Sequence, residues 1–277
     1  NRSMYTEYQP SHLLVPYIDN YWEFKGNPDY GMRIHILPDG CTDFIFTLGE
    51  VANAVEEGSL MMQPYRSYFV GPMTKYSELV TYTESIHMFG VRFLPCGLSC
   101  FTNLPLHEFV NSRVSTNEMK AVFDDTFIER LGEQKHVADR IRVVEEYLLA
   151  YLARHYQPTD SHVAMAVNMI NHSEGKRSVR SLMDDVCLCQ RHFERKFKHY
   201  TGFTPKEYSR IVKFKNAVEL LRTTTSANLL TTAVDAGYYD LAHFSKEIKS
   251  MSGNTPASFL SLTVPEETTL TYIEPQR

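Results

Sequence analysis

Twelve Lys and Arg against five Asp and Glu fall between residues 176 and 222, a local balance of +7 in a chain whose net charge is -5. Residues 1–160 carry 13 basic and 21 acidic side chains, and residues 161–277 carry 15 and 12. A basic block inside an acidic protein offers a site to a polyanion, confined to that block. The competing reading is a solvated helical face. Catalytic signatures are missing: there is no Walker loop, no Gly-x-Gly-x-x-Gly and no Gly-x-Ser-x-Gly. The close thiol pairs are Cys96-x-x-x-Cys100 and Cys187-x-Cys189. A Cys pair without a second Cys or His cluster nearby is more often core than metal or redox site. Trp22, Arg33, His35, His87 and Arg92 are the polar or amphipathic residues that fall in candidate strands and could line a pocket.

The elements that must position these residues divide the chain in two. With 277 residues, 43% hydrophobic and 22% charged, the sequence has the composition of a globular protein and the length of two domains. Its 16 Phe and 17 Tyr exclude disorder as the main state. No apolar run approaches the roughly 20 residues that span a bilayer, so no membrane partner is expected. Asn1 to Pro10 shows no secretory leader, and five sparse Cys suggest free thiols in a reducing cytoplasm.

Residues 19–94 read as strands. Arg33-Ile34-His35-Ile36-Leu37 partly alternates, Pro38-Asp39-Gly40 makes a turn, and Phe44, Phe46 and Leu48 follow at period two. Further on, His87, Phe89, Val91 and Phe93 share one face, with Met88 and Arg92 on the other. Short strands at this density predict a small sandwich or barrel. Helices are predicted over Glu118–Leu131 and Val137–Tyr156. The second carries a narrow seam of Val137, Ile141, Val144, Leu148, Tyr151 and His155, which can pack on its own domain or, through Ile141, Val144, Leu148 and Tyr151, on the same helix of a second subunit. After Gln157-Pro158 everything to about Leu262 reads as short helices. The expected fold is α+β, with a β domain and flanking helices at 1–157, an all-α domain at 158–264 and a tail at 265–277.

The helical half repeats itself at an offset of 51 residues. His192-Phe193 matches His243-Phe244, Gly202-Phe203-Thr204-Pro205 matches Gly253-Asn254-Thr255-Pro256, and Tyr208 matches Phe259. Each unit is a helix, a short turn, a helix and a Gly-x-Thr-Pro exit. Thr204-Pro205-Lys206-Glu207 reads as a capping box with Pro at the first helical position. Helix–turn–helix units place their second helix in the DNA major groove, and two copies, the first in the basic block, point to double-stranded DNA as partner.

The stretch from Ser161 to Leu262 closely resembles the DNA-binding domain of AraC/XylS-type transcription regulators. The carrying residues include Leu182, Phe193, Phe197, Gly202, Thr204-Pro205, Ala217, Leu220-Leu221, Ala233, Gly237-Tyr238, Phe244-Ser245, Gly253 and Thr255-Pro256. Residues 5–156 resemble a cupin-like sensor domain through Tyr21-Trp22, Leu37-Pro38-Asp39-Gly40, Gly71-Pro72 and Phe89-Gly90-Val91-Arg92-Phe93. The resemblance implies seven helices with two helix–turn–helix units, promoter DNA and RNA polymerase as partners, a possible small-molecule effector, and dimerisation through the sensor domain. It makes Gln190–Tyr200 the first recognition helix, with Arg191, Glu194 and Arg195 facing the groove. Arg can bond guanine O6 and N7, and Glu can accept from cytosine N4. Gln190, Lys196, Lys198 and His199 suit phosphate contacts, although Glu194 could simply pair with Lys198. The second recognition helix presents Leu241, Ala242, Ser245 and Lys246. Its segment 223–262 has a balance of -1, so it should add less affinity and less sequence reading.

Departures from the family pattern are Cys187 for the usual turn Gly, Cys189 for the usual Ser cap, and Ile248 for Phe. Metal-binding cupins carry His-x-His, whereas His35 is followed two residues on by Leu37, so no metal or other cofactor is expected. Trp22, His35 and Arg92 are the candidate effector contacts. The reading is a DNA-binding regulator, not an enzyme. Its alternatives are an enzyme of the methyl-accepting DNA repair type fused to such a domain, and a DNA-binding protein whose acidic half is only an interaction platform.

Overall fold

A computed structural model describes residues 4–54, 59–119, 122–123, 126–186, 188–223, 229–260 and 271–273. The N-terminal half is built of β1 (Tyr5–Tyr8), β2 (Ile18–Gly26), β3 (Met32–Ile36), β4 (Thr42–Thr47), β5 (Asn53–Ala54), β6 (Ser67–Val70), β7 (Ser77–Thr81), β8 (Ile86–Phe93) and β9 (Arg113–Ser115). Helices α1 (Phe127–Gly132) and α2 (Val137–His155) follow. A six-stranded antiparallel sheet runs β1-β2-β8-β4-β6-β9, and β3, β7 and β5 belong to a second sheet facing it.

Period-two alternation decides which side chains go where. Phe44, Phe46, Phe89, Val91 and Phe93 point from the large sheet toward α1 and α2 and form one buried cluster with Val144 and Leu148. On the opposite face Trp22, Ile45 and Met88 meet Ile34 and Leu79 of the small sheet. The expected helix over Glu118–Leu131 is shorter than the pattern implies. A 3-10 turn at Thr116–Glu118 ends on Met119 in extended conformation, and α1 starts only at Phe127. Residues 120, 121, 124 and 125 of that expectation lie outside the described residues.

The α2 seam also needs correction as a subunit contact. Val144 and Leu148 are wholly buried against the chain's own sheet, and Ile141 and Tyr151 pack on the same cluster. Val144 and Leu148 are therefore not available to a second subunit, while Ile141 and Tyr151 stay half-buried.

The C-terminal half comprises α3 (Ser161–His172), α4 (Val179–Val186), α5 (Gln190–Thr201), α6 (Pro205–Thr223), α7 (Leu229–Asp235), α8 (Leu241–Ser252) and α9 (Pro256–Leu260). Asp160 caps α3 by accepting from His162 N and Val163 N. The capping box opens α6: Glu207 N donates to Thr204 Oγ1 at 3.1 Å and Thr204 N to Glu207 Oε2 at 2.7 Å. Val163, Ile170, Leu182, Phe193, Phe197, Phe214, Phe244 and Ile248 share one core, so Ile248 fills its place as an apolar residue. Leu37 and Cys96 of the β domain belong to that core too. Within the expected tail, β10 (Thr271–Ile273) pairs antiparallel with β3, opposite Ile36, His35 and Ile34.

Candidate DNA interface and the cavity between the sheets

Helix α5 turns Phe193 and Phe197 into the core, one turn apart. The opposite face therefore projects outward. Gln190, Arg191, Arg195 and Lys198 are exposed, and Glu194 is half-buried. Glu194 accepts from Gln190 Nε2 at 2.9 Å, rather than from Lys198. Arg195 Nη2 lies 3.1 Å from His192 Nδ1. These exposed contacts, each worth a few tenths of a kcal/mol, can be exchanged for base edges. Lys196 differs: its Nζ sits 2.6 Å from Asp160 Oδ2, the carboxylate that caps α3. Capping bonds and this ammonium hold the Asp160 carboxyl below its usual range despite burial. Lys196 is thus committed to joining α5 to α3 in this structure.

Helix α8 repeats the arrangement. Phe244 and Ile248 are buried, while Leu241, Ala242 and Lys246 are exposed and Ser245 is half-buried. Tyr239, just before its start, and Leu230 and Val234 of α7 are exposed too. Its outward face thus starts with Leu241 and Ala242 and carries Lys246 a turn later, where that of α5 carries Arg191 and Arg195.

The two helices also start differently. Asp240 caps α8, accepting from His243 N at 2.7 Å. Cys189 occupies the same place on α5, with φ -66° and ψ 138°, and its side chain accepts no capping bond. A thiol is a weak acceptor, and in the first turn His192 N donates to the Cys189 carbonyl at 3.1 Å instead. Cys189→Ser is expected to raise the stability of the helical domain by at most about 1 kcal/mol. The measurement is an unfolding midpoint, and a lower midpoint in the variant would overturn the capping argument. Cys187 lies outside the described residues.

A cavity lies between the sheets of the β domain. Tyr5, Phe24, Ile34, Ile36, Ile45, Val70, Leu79 and Met88 give it apolar walls, and Trp22, Asp43, Arg92 and Arg113 supply polarity. The strand register builds this end. On β8, Gly90 faces Trp22 of β2 and Ile45 of β4, while Arg92 faces Asn20 and Asp43. A Cβ on Gly90 would fall 1.9 Å from Trp22 Cε2, so the indole fits only over a glycine. Trp22 Nε1 donates to Asp43 Oδ1 at 2.7 Å, and Arg92 Nε donates to the same carboxylate at 3.2 Å. Arg92 also lies 3.5 Å from Asp39 and 3.8 Å from Glu7. Burial pushes the carboxyls of Asp43 and Glu7 up, with Arg92 pulling them down. Burial opposes the charge of Arg92 itself, yet its carboxylates, Asp43 foremost, hold it well above the ordinary value.

Trp22 and Arg92 thus meet at one site. His35 does not join them. Ile34 and Ile36 point into the cavity, and His35, on the other face of β3, stacks on Tyr76 with ring centroids 5.8 Å apart. Asp43 escaped the sequence reading. Its signal was available, since it alternates with Phe44 and shares the face of Ile45. Among the described residues, no three His, Cys, Asp or Glu are grouped as a metal site, and no helix is long and apolar enough to cross a membrane.

Residues 182–261 match the family described as a helix-turn-helix domain, covering both units of the repeat. This match lies within the stretch Ser161 to Leu262 that resembles AraC/XylS-type DNA-binding domains. Residues 6–115 match a domain of unknown function, DUF6597. Among solved structures, ToxT from Vibrio cholerae is similar over 87% of this chain and 98% of its own, with 9% identity and a TM-score of 0.52, which shows a shared two-domain fold. Part of the xylose-binding transcription activator xylR is similar to 38% of this chain and covers 28% of its own, at 25% identity and a TM-score of 0.34. The C-terminal domain of AraT, a response regulator from Geobacillus stearothermophilus, matches at 20% identity over 40% of this chain and 94% of its own, with a TM-score of 0.36. No curated protein sequence matches the chain.

Proposed function

We propose that this protein is a sequence-specific transcription regulator whose β domain holds a small, mainly apolar effector. The observation that carries the DNA reading is the repeated geometry. Two helices 51 residues apart bury their aromatic or aliphatic faces and turn the opposite faces outward, and the first of these is cationic. Arg191, Glu194 and Arg195 would read base edges, with Gln190 and Lys198 on phosphates. Leu241 and Ala242 would pack on thymine methyls, with Ser245 and Lys246 beside them. The apolar walls and the Trp22–Asp43–Arg92 end support the effector site, because a few convergent polar groups in an apolar pocket orient a ligand.

Selection of bound sites from random duplex DNA tests the reading, and affinity should fall steeply with salt through counterion release. Arg195→Ala is expected to cost about 1–3 kcal/mol and to relax preference at one base pair, whereas Lys198→Ala should weaken all sequences alike. Equal losses on selected and random DNA for Arg195→Ala would remove its readout role.

A further inference from the structure

The loop after β6, Gly71-Pro72-Met73-Thr74-Lys75-Tyr76, reaches both recognition helices. Helix α5 ends on Gly202, at φ +84°, where a Cβ would fall 2.6 Å from Cγ of Pro72. Helix α8 ends on Gly253, at φ +79°, where a Cβ would fall 2.7 Å from Cζ of Tyr76. Left-handed glycines commonly close helices, and here each lets a side chain of the β domain rest directly on the helix end. Because Gly202 and Gly253 are equivalent positions of the 51-residue repeat, one short loop touches the same point of both units.

The loop is itself held firmly. Gly71 N donates to Ser112 O at 3.0 Å and Asn111 N to Pro72 O at 2.8 Å. Thr74 N donates to Asn111 Oδ1 and Asn111 Nδ2 to Thr74 Oγ1, both at 2.8 Å. Tyr76 is backed by the stacked ring of His35, and Met73, between the two contact residues, lines the cavity. Helices α5 and α8 both pack on α6, so the loop is a second bridge between them, contributed by the other domain.

We propose that loop 71–76 is a clamp that fixes the relative placement of the two recognition helices, which makes Pro72 and Tyr76 positioning residues for the spacing of the DNA site. The proposal rests on both helices reading DNA. Helices that enter successive major grooves must stand about 34 Å apart, so a support spanning both ends sets which spacing is accepted.

The test uses the full chain and its Tyr76→Ala variant, with Tyr76→Leu as a second variant that keeps apolar bulk should the first fail to fold. The wild type is expected to select two sequence blocks at one spacing. The variant should select the same blocks with the spacing spread by about one or two base pairs. It should bind the wild-type site about tenfold more weakly. Without DNA, spin labels on Arg191→Cys and Lys246→Cys, in a chain carrying Cys187→Ala and Cys189→Ser, should give one narrow distance that broadens when Tyr76 is replaced. The remaining thiols, Cys41, Cys96 and Cys100, are buried. Unchanged spacing with an unchanged distance distribution would overturn the clamp. Failure of the wild type to select any DNA would overturn the DNA reading, and with it the operator role. The label distances would then decide separately whether the loop holds the helices.

Discussion

Arg92→Met is expected to destabilise the β domain by about 3–5 kcal/mol at neutral pH, the cost of leaving buried carboxylates without their cation. Arg92 is 4% exposed and meets Asp43, Asp39 and Glu7. Methionine keeps much of the side-chain volume, so packing loss is the smaller part of the effect. The pH dependence follows from the carboxyls that burial pushes up, Asp43, Glu7 and Asp19. A carboxyl with a raised folded-state pKa binds its proton more tightly when folded. It therefore costs stability above that pKa, and the cost vanishes below the unfolded value of about 4. Removing the cation raises these groups further. The deficit of the variant should be largest near pH 7–8 and shrink as pH falls toward about 5. Asp160 and Glu23, whose carboxyls are lowered, lose stability on acidification, but equally in both chains, so they cancel in the difference. Thermal unfolding of the two chains at both pH values is the measurement. A deficit below about 1 kcal/mol, or one that grows on acidification, would show that the carboxylates find other compensation.

Leu148→Ala is expected to cost about 2–5 kcal/mol, since Leu148 has no exposed surface and packs beneath the aromatic face of the large sheet. Val144→Glu with Leu148→Glu should yield no folded β domain, because two carboxylates would enter a core without partners. Denaturant unfolding reads the first and circular dichroism the second. The oligomeric state of the folded Leu148→Ala chain should match that of the wild type in sedimentation equilibrium. A stable double variant that changes only its state of association would return the seam to a subunit interface.

The helical domain was largely legible in the sequence because its signals are local. The caps Asp160 and Thr204, Gly202 and Gly253 past the ends of α5 and α8, and the stripes of Phe193, Phe197, Phe244 and Ile248 bound and orient these helices within a few residues of themselves. The repeat related α5 to α8, and the family resemblance pointed to the residues each of them turns outward. The β domain was legible as alternation only. Arg33 with His35 and Ile34 with Ile36 were separable as two faces, but which face meets the cavity depends on what covers the sheet, and that is a long-range fact. The same limit left the α2 seam open between its own domain and a second subunit: periodicity shows that a stripe must be covered, not by what.

What the sequence by itself determined was the division into a strand-rich acidic half and a helical basic repeat, together with the residues that α5 and α8 turn outward. Only the tertiary structure decided the rest. It brought Asp43 and Arg92 together across neighbouring strands, set Trp22 over Gly90, tied Lys196 to Asp160 and seated Pro72 and Tyr76 against the ends of two helices. The physical reason is chain separation. Caps and helical stripes act between residues a few positions apart. A strand register, or a loop docked on helices more than 100 residues away, is selected by the fit of the whole core and leaves no period in the sequence.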